Sequence, residues 1–307
     1  MRFDGSGPLC VLFALCAAAP APAQERTPTR QNPSPMVETT RRHERLPDLA
    51  VSGTRFTIEG VLPRPVHVFV PGPARALDAG ALLVHFHGAA YVAEQAAAAQ
   101  SQPFIAAVVN LGAGSGVYER AFSDPRTFGE LRRRIAEELS QRRGAPVALD
   151  DIVLTGFSAG CAAIREILRD PAAARAVRAV VLLDGIHTSY VPDGQVLAEG
   201  GALDSARFES LVRFARLAIA GEKHMLVTHS EIFPGTFAST TETADWMLRT
   251  LGLERTAVVE WGPGGMQRLS LVERAGFRLE GYAGNTAPDH IDHLHALPAL
   301  LSRLGPR

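Results

Sequence analysis

The serine at position 158 lies in a segment whose residue types and spacing suit nucleophilic catalysis. Residues 156–160 read GFSAG and follow the apolar run at residues 152–154. The G-x-S-x-G form is typical of a sharp turn from a strand into a helix, which exposes the serine hydroxyl at the edge of a sheet. Glycine is required there because the turn brings backbone segments close together and strains the dihedral angles. The pattern therefore predicts that Ser158 is a nucleophile, next to a helix N-terminus that favours negative charge.

Strands and helices that could position this serine alternate along the chain. Strands are predicted where apolar residues alternate or form short runs, at residues 56–58, 66–70, 81–86, 104–109, 152–154, 180–183, 225–227, 258–259 and 277–282. Helices are predicted where apolar residues recur every three or four positions, at residues 131–139, 163–168, 208–219, 239–251 and 294–304. The first two strands suit an antiparallel pair, and the later, continuously apolar strands suit parallel pairing. This alternation predicts one doubly wound α/β domain.

Two further motifs flank the serine segment. Residues 85–89 read HFHGA before it, and residues 289–295 read DHIDHLH after it, with three of the ten histidines. In this order the motifs resemble those of the α/β-hydrolase superfamily of serine esterases, across roughly residues 51–304. The resemblance implies the α/β-hydrolase fold, a doubly wound, mostly parallel sheet with helices on both faces. Residues 185–204 form a short connection, so no large cap domain is expected.

The resemblance also implies a general base and two oxyanion-binding amides. The base belongs after the last strand, where His290 is nearest the strand and His293 follows one helical turn later. His290 is favoured, and His293 is kept as the alternative. One amide belongs to the residue after the nucleophile, Ala159, and the other to the His-Gly turn, at Ala89. Preorganised N–H donors of this kind stabilise the negative charge of a tetrahedral acyl intermediate.

The acid that would orient the histidine has two candidates. Its task is to hold the imidazole in the right tautomer and to stabilise the imidazolium. The commoner position of the acid in the superfamily is after the second strand that follows the nucleophile, which selects Glu231. The alternative position is the end of the first strand that follows the nucleophile, which selects Asp184. Asp184 ends a buried strand level with the serine, where an unpaired carboxylate would be costly. Asp184 is therefore favoured over Glu231, and Glu242 is interpreted as a helix-capping residue.

Two other patterns could indicate a cofactor or a metal. Residues 112–116 read GAGSG, but they lack the spacing of a dinucleotide-binding loop and are interpreted as a loop near the active site. His85 and His87, with the histidines near position 290, could be zinc ligands. The H-x-H-x-D-H arrangement of metal-dependent hydrolases is missing, so His85 and His87 are expected to be structural, with one imidazole bracing the His-Gly turn. The sequence predicts neither a cofactor nor a metal.

The N-terminal residues have the character of a secretory signal. An apolar run at residues 9–19, too short to span a bilayer, precedes the A-x-A pattern at residues 21–23. The predicted organisation is a signal peptide at residues 1–23, a flexible leader at 24–49 and an α/β-hydrolase domain at 50–307. The expected location is the periplasm or the outside of the cell, with no integral membrane segment after the signal is removed.

Charge and cysteine content narrow the function further. The formal net charge is −1, which gives no indication of nucleic-acid binding. Removal of the signal leaves Cys161 alone, so no internal disulfide can form, and this cysteine is expected to pack against the sheet.

The sequence predicts an exported serine hydrolase that cleaves small-molecule carboxylic esters through an acyl-enzyme. The alternatives are an amidase or peptidase with the same triad and a non-catalytic binding protein on the hydrolase scaffold.

Overall fold

A ten-stranded sheet forms the centre of the structure, a computed structural model that describes residues 46–72 and 80–304. The predicted signal peptide and most of the predicted leader lie outside the described residues. The strands are β1 (Gly53–Ile58), β2 (Val66–Pro71), β3 (Ala81–Phe86), β4 (Ile105–Val109), β5 (Asp151–Phe157), β6 (Val177–Leu183), β7 (Tyr190–Val191), β8 (Ala202–Leu203), β9 (His224–His229), β10 (Thr256–Trp261), β11 (Gln267–Arg274) and β12 (Phe277–Tyr282). Strands β7 and β8 form a separate two-stranded sheet.

The large sheet is parallel at its centre and antiparallel at both edges. Its strand order is β1-β2-β4-β3-β5-β6-β9-β12-β11-β10. The six strands from β4 to β12 in this order are parallel to one another. The predicted antiparallel pair β1–β2 lies at one edge, and β11 and β10 form antiparallel pairs at the other. Strand β11 was not predicted, because its residues are only half-buried and show no clear apolar alternation.

Nine helices of the described residues surround the sheet. They are α1 (Ala90–Ala98), α2 (Ser115–Phe122), α3 (Arg126–Arg143), α4 (Cys161–Ile167), α5 (Pro171–Ala176), α6 (Glu209–Ile219), α7 (Thr240–Leu251), α8 (Ala287–His295) and α9 (Leu297–Leu301). The capping box predicted for α7 is present, with Ser239 and Glu242 bonded to each other's backbone amides. The prediction of a single final helix over 294–304 is wrong. Helix α8 begins seven residues earlier, because Thr286 and Asp289 form a second capping box.

Helices cover both faces of the sheet. Leu82 and Val84 on β3 belong to one apolar cluster, which packs against α2, α3, α4, α6 and α7. Leu83, which points the other way, belongs to a second cluster that packs against α1, α8 and α9. Alternate side chains of a central strand thus enter opposite layers, which is why these strands are apolar throughout. This doubly wound, mostly parallel sheet is the α/β-hydrolase fold that the sequence predicts.

The connection between β6 and α6 carries the small β7–β8 sheet and two short 3-10 helices, Leu197–Glu199 and Ser205–Phe208. Within residues 46–72 and 80–304, none of the helices has the length and apolar character needed to span a bilayer.

Candidate active site

Ser158 occupies the predicted turn between a strand and a helix. It is the first residue of a single 3-10 turn that joins β5 to α4, and its φ of 49° lies in the left-handed region. A side chain at Gly160 would place Cβ 2.0 Å from the carbonyl oxygen of Phe86, and one at Gly156 would place Cβ 3.0 Å from Cys161 Cα. Both glycines are therefore required by close backbone approach, and a strained non-glycine residue at such a turn is typical of a functional site.

The Asp184 carboxylate lies next to the His290 imidazole. The Nδ1 atom of His290 donates to Asp184 Oδ2 over 2.7 Å. Because an ionised carboxylate can only accept, this bond keeps the proton on Nδ1 and leaves Nε2 free to take up another. The ring of Phe157, directly before Ser158, packs against His290 with centroids 4.5 Å apart. The imidazole is therefore fixed both by the carboxylate and by an aromatic neighbour of the serine.

The protein stabilises Asp184 in its ionised form. The residue directly follows β6 with a positive φ of 43°, and its side chain is almost fully buried. Its Oδ1 atom accepts from the amide of Ser230 at 2.8 Å and from the hydroxyl of Thr240 at 2.6 Å. Burial opposes ionisation, but the charges of His293 and His290 and the hydrogen bonds from His290 and Thr240 hold the pKa of Asp184 well below its usual range.

The two alternative residues from the sequence have other partners. Glu231 Oε2 accepts from the amide of Gly284 at 3.2 Å, on the exposed surface. His293 is buried in the core, where its Nδ1 atom is 2.7 Å from Thr228 Oγ1. Burial lowers the pKa of His293. The structure thus brings together Ser158, His290 and Asp184, and neither alternative lines their pocket.

The His-Gly turn presents the amide of Ala89. The amide of His87 donates to Val109 O at 3.0 Å, and that of Gly88 donates to Asn110 Oδ1 at 3.0 Å. Asn110 also donates to Gly88 O at 2.8 Å, so both polar backbone groups of this glycine are held. Ala89 is the next residue along and precedes helix α1. In the described part of the chain no acceptor is bonded to the Ala89 amide, which leaves it available to an oxyanion.

Both histidines of the His-Gly turn contact neighbouring elements. His85 Nδ1 is 2.8 Å from Thr155 Oγ1 on the adjacent strand, and burial lowers the pKa of His85 to about 3. His87 Nδ1 is 2.9 Å from the Tyr118 hydroxyl, and its ring stacks on Phe157. These contacts fit the structural roles that the sequence suggested. Among the described residues, no group of three or more metal-ligating side chains is arranged to hold an ion.

Cys161 is enclosed behind the turn. Its thiol donates to Gly156 O over 3.1 Å, and burial raises the pKa of Cys161 well above its usual range. A thiol that is buried and protonated is a poor nucleophile.

A pocket of about 220 Å³ opens beside the catalytic candidates. Ser158, Asp184 and His290 line it, together with two groups of residues that the sequence did not indicate. The loop between β9 and α7 contributes an apolar wall, formed by Ile232, Pro234 and Phe237. The segment after β6 contributes His187, a polar residue. No motif marks these positions, because they reach the site only through long-range folding.

The glycine-rich segment 112–116 also approaches this region. A helix begins within it, because α2 starts at Ser115 with Gly114 at its N-cap. The hydroxyl of Ser115 lies 2.6 Å from His187 Nε2. The segment therefore supports a side chain of the pocket, in keeping with its interpretation as a loop near the active site.

Comparison with known proteins finds likeness at the level of structure alone. No protein-family model and no curated protein sequence matches this chain. Among solved structures, a Pyrobaculum calidifontis esterase in a monoclinic form is similar with a TM-score of 0.41 and 12% identity, over 84% of this chain and 86% of that one. A zinc-bound, cold-adapted esterase from an Arctic intertidal metagenomic library is similar with a TM-score of 0.45 and 13% identity, over 83% and 95%. These likenesses concern the overall path of the chain and identify no residue of the site.

Proposed function

We propose that this protein is a serine hydrolase that cleaves carboxylic esters through an acyl-enzyme intermediate. The observation that carries the proposal is the 2.7 Å bond between His290 Nδ1 and Asp184, in a pocket that Ser158 also lines. A nucleophile, a base and an acid that orients the base are the parts that this chemistry needs.

In the proposed mechanism, Ser158 Oγ attacks the acyl carbon of the ester while His290 Nε2 takes the hydroxyl proton. The resulting imidazolium returns that proton to the leaving alcohol when the carbon–oxygen bond breaks, and the acyl group remains on Ser158. A water molecule then attacks the acyl carbon, with His290 again taking a proton and giving it back to Ser158.

Two features of the site would stabilise the charges that develop. The buried, ionised carboxylate of Asp184 faces the imidazole that becomes positive. The amides of Ala159 and Ala89 would bind the oxyanion, and both are fixed before the substrate arrives, which avoids a cost of reorganisation. The bonds that hold His87 and Gly88 keep the second amide in place.

Export is a separate part of the proposal. It rests on the apolar run and the A-x-A pattern before Gln24, which lie outside the described residues. N-terminal sequencing of protein recovered from the periplasm or the medium should give Gln24 as the first residue. Recovery of the intact chain from the cytoplasm alone would contradict export and leave the proposed chemistry untouched.

The experiment that tests the chemistry is a panel of p-nitrophenyl and methyl esters, with p-nitroanilides of the same acyl groups. The wild-type protein should hydrolyse esters much faster than anilides. Ser158→Ala should lose this activity, whereas Ser302→Ala, at an exposed serine remote from the pocket, should retain it. Preferential cleavage of the anilides would favour the amidase alternative. Ester turnover that persists in Ser158→Ala would contradict the proposal.

A further inference from the structure

The pocket beside Ser158 is apolar along one side and polar at His187. Ile232, Pro234 and Phe237 supply the apolar side. The neighbouring Phe233 is 56% exposed and Phe237 is 40% exposed, so two aromatic side chains of this loop are open to solvent. Apolar lining residues favour an apolar group of the ligand, and a few convergent polar groups select its orientation.

His187 is held firmly in the pocket wall. Its Nε2 atom bonds to Ser115 Oγ over 2.6 Å, and its ring lies 5.3 Å from the ring of Phe237. The helix that begins at Ser115 also carries Glu119, which forms ion pairs with Arg165 of α4 and, at 2.7 Å, with Arg207. These ion pairs fix the position of α2 relative to α4, and with it the hydroxyl that orients His187.

The second ring nitrogen of His187 has no hydrogen-bond partner among the residues that the structure describes. Across residues 46–72 and 80–304, no group forms a hydrogen bond with Nδ1, and the side chain is only half-buried, in the pocket wall. Burial, assisted by the charge of Arg165, lowers the pKa of His187 to about 4, so the imidazole is neutral at neutral pH. A neutral imidazole has one donor and one acceptor nitrogen. With Nδ1, His187 therefore adds one uncharged hydrogen-bonding atom to a pocket wall that also contains Ser230, Thr240, Asn285 and Thr286.

A hydroxyl is the ligand group that matches this atom best. The Ser115 hydroxyl can either donate to His187 or accept from it, so Nδ1 can be an acceptor or a donor. A hydroxyl of the substrate can serve either tautomer. A carboxylate could only accept, and it would meet a neutral ring rather than a cation.

The size of the pocket limits the group that carries this hydroxyl. A closed apolar cavity of about 150 Å³ admits benzene. The present pocket of about 220 Å³ therefore has room for a substituted phenyl ring or a short branched chain.

We propose that the site selects esters whose pocket-bound group is compact and mostly apolar and carries a hydroxyl that hydrogen-bonds to His187. In this role His187 is a specificity-determining residue and Ser115 is its positioning residue. The inference rests on the proposed ester hydrolase function, and it applies to whichever part of the ester enters the pocket, the acyl group or the alcohol.

The test uses matched esters that differ in one hydroxyl. In the acyl arm, methyl phenylacetate is compared with the methyl esters of 2-, 3- and 4-hydroxyphenylacetic acid. In the alcohol arm, 2-phenylethyl acetate is compared with its three ring-hydroxylated isomers. One isomer in one arm should show kcat/KM about tenfold higher than its parent, as one added hydrogen bond in a partly dry site allows. The arm in which this occurs identifies the part of the ester that enters the pocket.

Variants connect this preference to His187. His187→Phe should abolish the preference but still hydrolyse the parent ester, and His187→Gln should restore part of it because the amide retains a donor and an acceptor. His67→Phe, at an exposed histidine on β2, is the matched control and should behave like the wild type. Circular dichroism and thermal unfolding check that each variant is folded.

A binding measurement separates failure of this inference from failure of the proposed function. Ser158→Ala cannot form an acyl-enzyme, so the Kd of each intact ester can be measured by calorimetry. Tighter binding of one hydroxylated isomer, lost on adding His187→Phe, would support the inference even if the wild-type protein hydrolysed no ester. Equal affinities within every pair, or a preference that survives His187→Phe, would overturn it. Ser158-dependent hydrolysis without any hydroxyl preference would overturn this inference alone.

Discussion

Asp184 and His290 are separated by 106 positions in the chain, and their side chains are joined by a 2.7 Å hydrogen bond. The carboxylate is supplied by the residue that directly follows β6, and the imidazole by the first turn of α8. A bond of this kind fixes the tautomer of the ring and leaves Nε2 available as a base. The proposed mechanism depends on this relationship, and the first two predictions test its two members.

Replacement of the acid should slow catalysis without unfolding the protein. Asp184→Asn keeps an oxygen that can accept from Ser230 and Thr240, but it removes the charge that favours the Nδ1–H tautomer. We expect kcat for ester hydrolysis to fall by about 10³ to 10⁴. Glu231→Gln is the matched control and should change kcat less than about threefold, because Glu231 bonds only to Gly284 on the surface. A larger loss in Glu231→Gln than in Asp184→Asn would reverse the assignment of the acid.

Two of the three histidines of α8, His290 and His293, should respond differently to replacement by alanine. His290→Ala should lower kcat at least about a thousandfold, because it removes the proposed base. His293→Ala should lower the free energy of unfolding by about 2 to 4 kcal/mol, since it leaves a cavity and removes the partner of Thr228. Urea titration and steady-state kinetics measure both quantities. Inactive His293→Ala with normal stability would identify the other ring as the base.

Features that depend on neighbouring residues could be predicted from the sequence. The serine turn is such a feature, because close approach of adjacent backbone segments requires Gly156 and Gly160. The choice of acid is different. Strands β6 and β9 are neighbours in the sheet, so Asp184 and Glu231 both follow strands that end near the site. Only the direction of each side chain separates them, and no local pattern encodes that direction.

Two other features show where sequence patterns were weak or overlooked. Thr286, Pro288 and Asp289 form a helix start that the sequence does contain, with Asp in the place where Glu or Gln is usual. His187 belongs to no motif, and the Ser115 that holds it is 72 positions away. The central strands could be predicted because both of their faces are buried. The half-buried β11 could not, because it lacks that signal.

A glycine-to-alanine substitution should lower the free energy of unfolding at one position and raise it at another. Gly160→Ala should lower the free energy of unfolding by about 3 kcal/mol, because its Cβ would lie 2.0 Å from Phe86 O, a backbone atom that cannot move freely. Gly129→Ala should raise it by about 1 kcal/mol, because the residue is exposed within α3 and a Cβ there would meet nothing within 4 Å. The two urea midpoints should move in opposite directions. Equal effects would contradict the described turn geometry.

Acid should destabilise the protein partly through His229. This ring is buried and bonded to Arg255 at 2.8 Å, and burial together with the Arg255 charge lowers the pKa of His229 from 6.5 to about 4. Because its pKa is lower in the folded than in the unfolded state, unfolding takes up a proton between these values. The stability that the neutral His229 ring contributes is fully present above pH 6.5. As the pH falls toward 4, the free energy of unfolding should decrease by about 3 kcal/mol.

The variant His229→Gln tests this contribution, since its amide oxygen can still accept from Arg255. Its free energy of unfolding should depend less steeply on pH between 4 and 6.5 than that of the wild type. His67→Gln, at an exposed histidine, should leave the slope unchanged. The same slope in the wild type and His229→Gln would show that this ring does not titrate as described.

The central claim is that Ser158 is the nucleophile, and active-site labelling tests it most directly. The mature protein is treated with a fluorophosphonate, digested and analysed by mass spectrometry. We expect one phosphonate on Ser158, formed in step with loss of ester hydrolysis, and no labelling of the Ser158→Ala variant. An unlabelled protein, or a label on another residue that accompanies the loss of activity, would contradict it.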